Sequence, residues 1–327
     1  MTRLGYQIPN FTYPGVDSNG LFDKVALQAK AAERAGFDTV LVMDHFYQLP
    51  MLGAPEANMI ECYTVLAALA RETKRVRLGA LVTGNTYRNP AMLAKVITSL
   101  DIVSNGRAQL GIGAGWFELE HDSLGFEFGT FTDRFEKLEE ALCIILPMLG
   151  DERPSLDGKH YRVSQAINQP MPVGRIPVMI GGSGEKKTLR LVAQYADESN
   201  LTASFEEIPR KLDALAAHCE RLGRDRSTIT VSKAVNVCIG ETRDAAYADM
   251  TTFLGERGLD LSTMDDATRD MIMSMVVWGD GDEVGEQLSN ILAAGVDGFT
   301  LSLPANGWIA ERVDQLGAVA SKVLAAY

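Results

Sequence analysis

Histidine is scarce in this chain of 327 residues, with four in all, and one of them stands in the triplet Asp44-His45-Phe46. An imidazole gains or loses a proton near neutral pH, which suits acid/base work beside hydride chemistry. The plainer reading is a histidine hydrogen-bonded in a rim, and position alone leaves both open. Asp44 could orient that ring or bind a polar group of a ligand. Glycine-rich turns offer a second kind of chemistry. Gly181-Gly182-Ser183-Gly184, with Lys186 close behind, would present backbone N–H groups and a cation to a phosphate, or the glycines could serve only a tight turn. Gly113-Ala114-Gly115 would let a flat ring approach the backbone closely, with Trp116 stacked on it or filling space. Thr83, Asn85 and Asn200 add polar side chains at corresponding places. No GxSxG elbow, HExxH pair or Walker spacing occurs, and His121, His160 and His218 read as structural, so no metal site is expected.

These groups share a position: each follows a short apolar run. Strands are expected at 3–8, 38–43, 76–82, 107–112, 177–181, 198–201, 229–238 and 297–302. The runs lack polar/apolar alternation, as strands buried on both faces should. Between them run amphipathic stripes such as Leu93, Val96, Ile97, Leu100 and Val284, Leu288, Ile291, Leu292. Gly36, Gly106 and Gly295 fall where such helices would end in a left-handed cap. The alternation predicts one α/β domain over 1–327, a closed (β/α)8 TIM barrel. A doubly wound sheet is disfavoured because the first βα turn, 7–14, is polar and aromatic instead of glycine-rich. Barrel enzymes work at the C-terminal ends of their strands, where all these groups lie. Two insertions at that face are long. One is the polar stretch 116–130 together with 150–176, a loop and short hairpin; the other is the Met-rich segment 257–279, a lid or a packing element.

Bulk properties narrow the partners. A formal net charge of -12 argues against nucleic acid or an anionic membrane surface, and no apolar run is long enough to span a bilayer. Four scattered cysteines and the absence of a signal-peptide pattern at the start point to a cytoplasmic protein.

Taken in order, several of these stretches resemble the luciferase-like monooxygenase superfamily, in particular its branch that uses the deazaflavin coenzyme F420. The resemblance runs through 32–44 into His45-Phe46, then 76–83 and Tyr87-Arg88-Asn89-Pro90, 100–107, 110–116 with Glu120-His121, Gly158-Lys159-His160-Tyr161, and 176–184. It implies a tricyclic ring in the barrel mouth, supported at a bulge or non-prolyl cis peptide near Leu81-Val82 and flanked by Gly113, Ala114 and Gly115. It further implies a phosphate on Gly181, Gly182 and Ser183, and His45 near the reactive carbon. Flavin mononucleotide is the alternative coenzyme, with a two-component monooxygenase as the alternative activity, and a non-catalytic binding protein as a third. The superfamily also suggests a homodimer. Its sugar-phosphate dehydrogenases carry a catalytic glutamate where this chain has Trp116, so an apolar or unsaturated small substrate is expected instead, over Trp116 and Asn200.

Overall fold

Eight short parallel strands carry the molecule: β1 Leu4–Ile8, β2 Thr39–Val42, β3 Arg77–Ala80, β4 Ala108–Gly113, β5 Val178–Gly181, β6 Glu198–Leu201, β7 Thr230–Ile239 and β8 Gly298–Ser302. This computed structural model describes residues 3–327. Each strand pairs with the next, and β8 pairs back onto β1 with Leu4 opposite Phe299, so the sheet closes. Outside lie α1 Leu21–Arg34, α2 Cys62–Glu72, α3 Pro90–Ser104, α4 Phe131–Leu149, α5 Thr188–Tyr195, α6 Ile208–Leu222, α7 Gly281–Ala293 and α8 Ala310–Ala325. The expected (β/α)8 barrel is therefore present. No helix among the described residues is long and apolar enough to cross a membrane.

Local chemistry starts and stops the helices. Asn89 caps α3 by accepting from the N–H groups of Ala91 and Met92, and Pro90 occupies the first turn, where its missing N–H costs nothing. Thr130 and Asp133 form a reciprocal capping box at α4, as do Asp280 and Glu283 at α7. Gly36, Gly106 and Gly295 all adopt positive φ just past their helices, as anticipated.

The main apolar core lies between strands and helices, where Tyr6, Val40, Leu78, Leu110 and Phe299 meet Val25, Leu66, Leu93 and Leu138. Inside the barrel most side chains are small or polar, Leu41 and Met179 being large apolar exceptions, contrary to the expectation of strands apolar on both faces. A Cβ on Gly5 would meet Thr39 Oγ1 and Thr300 Oγ1. Gln109 donates to Glu198 at 2.7 Å, and Asn200 donates to Ser232 and Thr300, each at 2.9 Å. Barrel centres are more often filled by branched apolar layers.

The connections that follow β3, β4 and β5 shape the mouth of the barrel. β3 ends at Ala80 instead of 82; the Leu81–Val82 peptide is cis, as the family resemblance implied, and Thr83–Gly84 resumes pairing with β4 opposite Ile112 and Gly113. The stretch 116–130 contains a helix, Glu118–Leu124, closed by Gly125 at φ 76°. Past the glycine-rich turn after β5, α5 begins at Thr188. It is preceded by a wide turn in which the Leu189 N–H reaches the Gly184 carbonyl. The hairpin is present as Leu156–Asp157 against Arg162–Val163.

Between β7 and α7 the insertion forms helices Arg243–Gly255 and Asp266–Ser274 and a strand Val277–Gly279 that pairs onto β7. It builds a separate apolar cluster of Met250, Phe253, Leu254, Leu261 and Met273, with Leu52 and Ala305 packed on it.

Candidate active site

His45 stands three residues past the end of β2, with its side chain 12% exposed. Its Nδ1 lies 2.9 Å from Glu120 Oε2, on the short helix that follows β4. Glu120 is fully buried. Its Oε1 accepts from the backbone N–H groups of Phe46 and, at 2.9 Å, Tyr47. Its Oε2 also accepts from the Tyr87 hydroxyl at 2.5 Å. Burial pushes this carboxyl up, but the donations from His45 and Tyr87 outweigh it and hold Glu120 below its ordinary range. The rings of Trp116 and Phe117 both meet the imidazole edge-on, with centroids 5.8 Å away.

Asp44 takes a different part. It is 1% exposed, and its oxygens accept from Arg88 at 2.6 and 2.9 Å and from the Gly84 N–H. Arg88 also reaches Glu61, whose carboxylate caps α2. Burial pushes the Asp44 carboxyl above its ordinary range while Arg88 pulls it back down, and the same pairing raises the guanidinium of Arg88; the two short parallel contacts have the fork geometry of a charge-assisted pair. Asp44 thus fixes the segment after β3 and makes no hydrogen bond to His45, as adjacent residues leaving a strand diverge.

The glycines make room for protein atoms first. A Cβ on Gly113 would come within 2.8 Å of Val82 Cγ2, and one on Gly181 within 2.8 Å of Val82 Cγ1. A Cβ on Gly115, at φ 79°, would sit 2.7 Å from Thr86 Oγ1. Ala114, Leu81 and Val82 are half-buried, whereas Thr83 is buried and bonded through its hydroxyl to Tyr63. Asn85 is 2% exposed beside the Tyr161 hydroxyl, and its Nδ2 makes no well-formed hydrogen bond.

The turn after β5 has Gly182 at φ 118°, with its N–H donating to the Asn200 carbonyl, while Ser183 Oγ accepts from the Thr202 N–H at 2.9 Å. Lys186 is exposed. Lys187, next to it, reaches Thr132 Oγ1 and lies over the rings of Phe131 and Phe135. Asn200 lies one layer down inside the barrel, 2% exposed. His121 is buried, bonded to Thr86 and the Phe117 carbonyl, and His218 to the Glu185 carbonyl. His160 joins Asp133 and Glu136 in a surface group whose carboxylates already hold Lys159.

The structure thus brings His45, Trp116 and the residues after β3 and β4 together, and keeps Asp44 and Asn200 beneath them. Glu120, Tyr87 and Arg88 were not singled out as site residues. Their roles depend on contacts over 33 to 75 residues of sequence separation, and local spacing carries no sign of those.

The family model for luciferase-like monooxygenases matches residues 2–298. The chain belongs to the luciferase-like monooxygenase family. A relative from Microbacterium testaceum, an F420-dependent glucose-6-phosphate dehydrogenase, is 32% identical over 66% of this chain and 64% of its own length. An F420-dependent hydroxymycolic acid dehydrogenase from Mycobacterium tuberculosis is 29% identical over 69% of this chain and 62% of its own. Each alignment covers less than two thirds of the relative. Among solved luciferase-like folds, the F420-dependent tetrahydromethanopterin reductase of Methanopyrus kandleri superposes with a TM-score of 0.79 at 20% identity, covering 98% and 99% of the two chains. An F420-dependent secondary alcohol dehydrogenase gives 0.82 at 18% identity, covering 99% of both.

Proposed function

We propose that this luciferase-like protein is an F420-dependent oxidoreductase that moves a hydride between the deazaflavin and a small, largely apolar organic substrate. The observation that carries the reading is His45 held 2.9 Å from the buried Glu120 at the barrel mouth, with Trp116 against the ring. The F420-dependent relatives support the choice of coenzyme. When bound, the deazaflavin would supply a two-electron couple that exchanges hydride at carbon and reacts poorly with oxygen.

The chain's own groups fit such a guest. Asn85 offers a buried N–H without a well-formed partner, a donor whose desolvation favours a bound acceptor. Leu81, Val82, Thr83, Ala114 and the glycines 113 and 115 would border the ring; Gly181, Gly182, Ser183 and Lys186 would hold the phosphate. His45 would move a proton to or from the substrate, while Phe117 and Trp116 shield it from water. Trp116 is 60% exposed, and Met51, Phe131, Phe205, Met271 and Met275 also expose large apolar surface on segments that leave strand C-termini. The exposed Trp116 ring beside His45 favours an apolar substrate over a sugar phosphate.

The test is a fluorescence titration with oxidised F420 and, separately, flavin mononucleotide, followed by oxygen uptake with the reduced coenzyme. Binding of F420 at about micromolar strength or tighter, without oxygen uptake, is expected. Preference for flavin mononucleotide with oxygen consumption would overturn the reading, and so would binding of neither.

A further inference from the structure

The hydrogen bonds around Glu120 decide which nitrogen of His45 carries the proton. Oε1 faces two backbone N–H groups, of Phe46 and Tyr47, which can only donate. Oε2 faces the Tyr87 hydroxyl at 2.5 Å and His45 Nδ1 at 2.9 Å. A carboxylate so placed has nothing to donate. Nδ1 must then be the donor, and a neutral imidazole has only one N–H to give.

We infer that Glu120 is a positioning residue that locks neutral His45 in its Nδ1–H tautomer and leaves Nε2 bare, as a proton acceptor. The tautomer rests on this geometry alone; its use in turnover rests on the proposed hydride transfer. In that reading His45 enters the reaction ready to take a proton at Nε2 as the substrate is oxidised, and returns it from the same atom in the reverse direction.

Glu120→Gln reverses the roles at this contact. The two backbone N–H groups fix the carbonyl oxygen of the new amide at the Oε1 position. Its NH2 then points at His45 Nδ1. Two donors would face each other unless the imidazole proton moves to Nε2, so the substitution inverts the tautomer while preserving shape.

Long-range 1H–15N spectra of the full chain, labelled at histidine nitrogens and free of coenzyme, read this directly at about pH 8, above the ordinary histidine range. His45→Gln identifies the signals. In the parent, Nδ1 should be protonated and Nε2 imine-like; in Glu120→Gln the two should exchange, with the other three histidines unmoved. Turnover of Glu120→Gln should fall by about 10²–10⁴, the usual worth of a placed proton acceptor. A parent His45 protonated at Nε2, or averaged between nitrogens, would overturn the inference, as would an unchanged tautomer in the variant. If the variant does not fold, the parent spectrum decides alone. No coenzyme is present in these samples, so a failed tautomer and a failed F420 titration are separate results.

Discussion

Val82 fills a notch that exists only because two residues on adjacent strands, Gly113 and Gly181, have no side chain. Gly181→Ala would press a methyl to 2.8 Å from Val82 Cγ1 and 3.1 Å from Cγ2, both on one stiff β-branched side chain. Overpacking of this kind should cost about 1–3 kcal/mol of stability. Val82→Ala in the same chain should recover most of it, giving a coupling of about 0.5–3 kcal/mol in a denaturant-melt double-mutant cycle. Strictly additive losses would show that the two side chains do not compete. The glycines were legible in the sequence as places of close approach, because glycine at a strand end has few other uses. What approaches them was not legible, since a neighbour on another strand leaves no local trace. His45 could be picked out from its rarity and its strand-end position. Its partner Glu120 is marked only by the Glu120-His121 step of the family resemblance, since by residue type it is one acidic residue among 43.

At the scale of elements, the eight strands could be located in the sequence because their outward residues meet the helices and are almost uniformly apolar. The inward residues misled, because Gly, Ser, Thr and Gln inside the barrel do not announce a buried face. The short helix Glu118–Leu124 was hidden for a related reason: Leu119 and Leu124 are exposed, so it shows no apolar stripe. The β7–α7 insertion read as lid or packing element, and the structure gives it its own cluster anchored on the loop after β2. Arg257 makes that anchor, donating from Nε to the Leu52 carbonyl at 2.9 Å while its guanidinium lies over the Phe253 ring at 3.5 Å. Arg257→Ala should therefore loosen the insertion and leave the barrel intact. Thermolysin cleavage between residues 255 and 276 should accelerate several-fold, with barrel amides keeping their hydrogen-exchange protection. Unchanged cleavage would mean that the apolar cluster alone holds the segment.

Across the whole molecule, buried or half-buried carboxylates stitch together segments far apart in the chain. Glu33 on α1 accepts from the N–H groups of Lys74, Arg75 and Val76, and Glu140 on α4 from those of Lys159, His160 and Tyr161. In both, burial pushes the carboxyl up but the backbone donors win, holding it below the ordinary range; at Glu120 the side chains of His45 and Tyr87 do the same. A depressed folded pKa adds stability above the ordinary glutamate value of about 4.3 and loses it as pH falls through the folded values. Urea midpoints should thus decline steadily from about pH 5 downward; a midpoint holding constant to about pH 3 would refute this account of the stitches. Glu120, on the segment after β4, takes its donors from residues 45–47 after β2 and from Tyr87 after β3. Three loops therefore share a single anion. A loop borrowed from a cousin to recruit a new substrate would arrive with donors lacking an acceptor, or an acceptor lacking donors. The unit that can be exchanged at this mouth is all three loops at once, and the β7–α7 insertion, which rests on the loop after β2 through Arg257 and Leu52, is tied to the same unit at one remove.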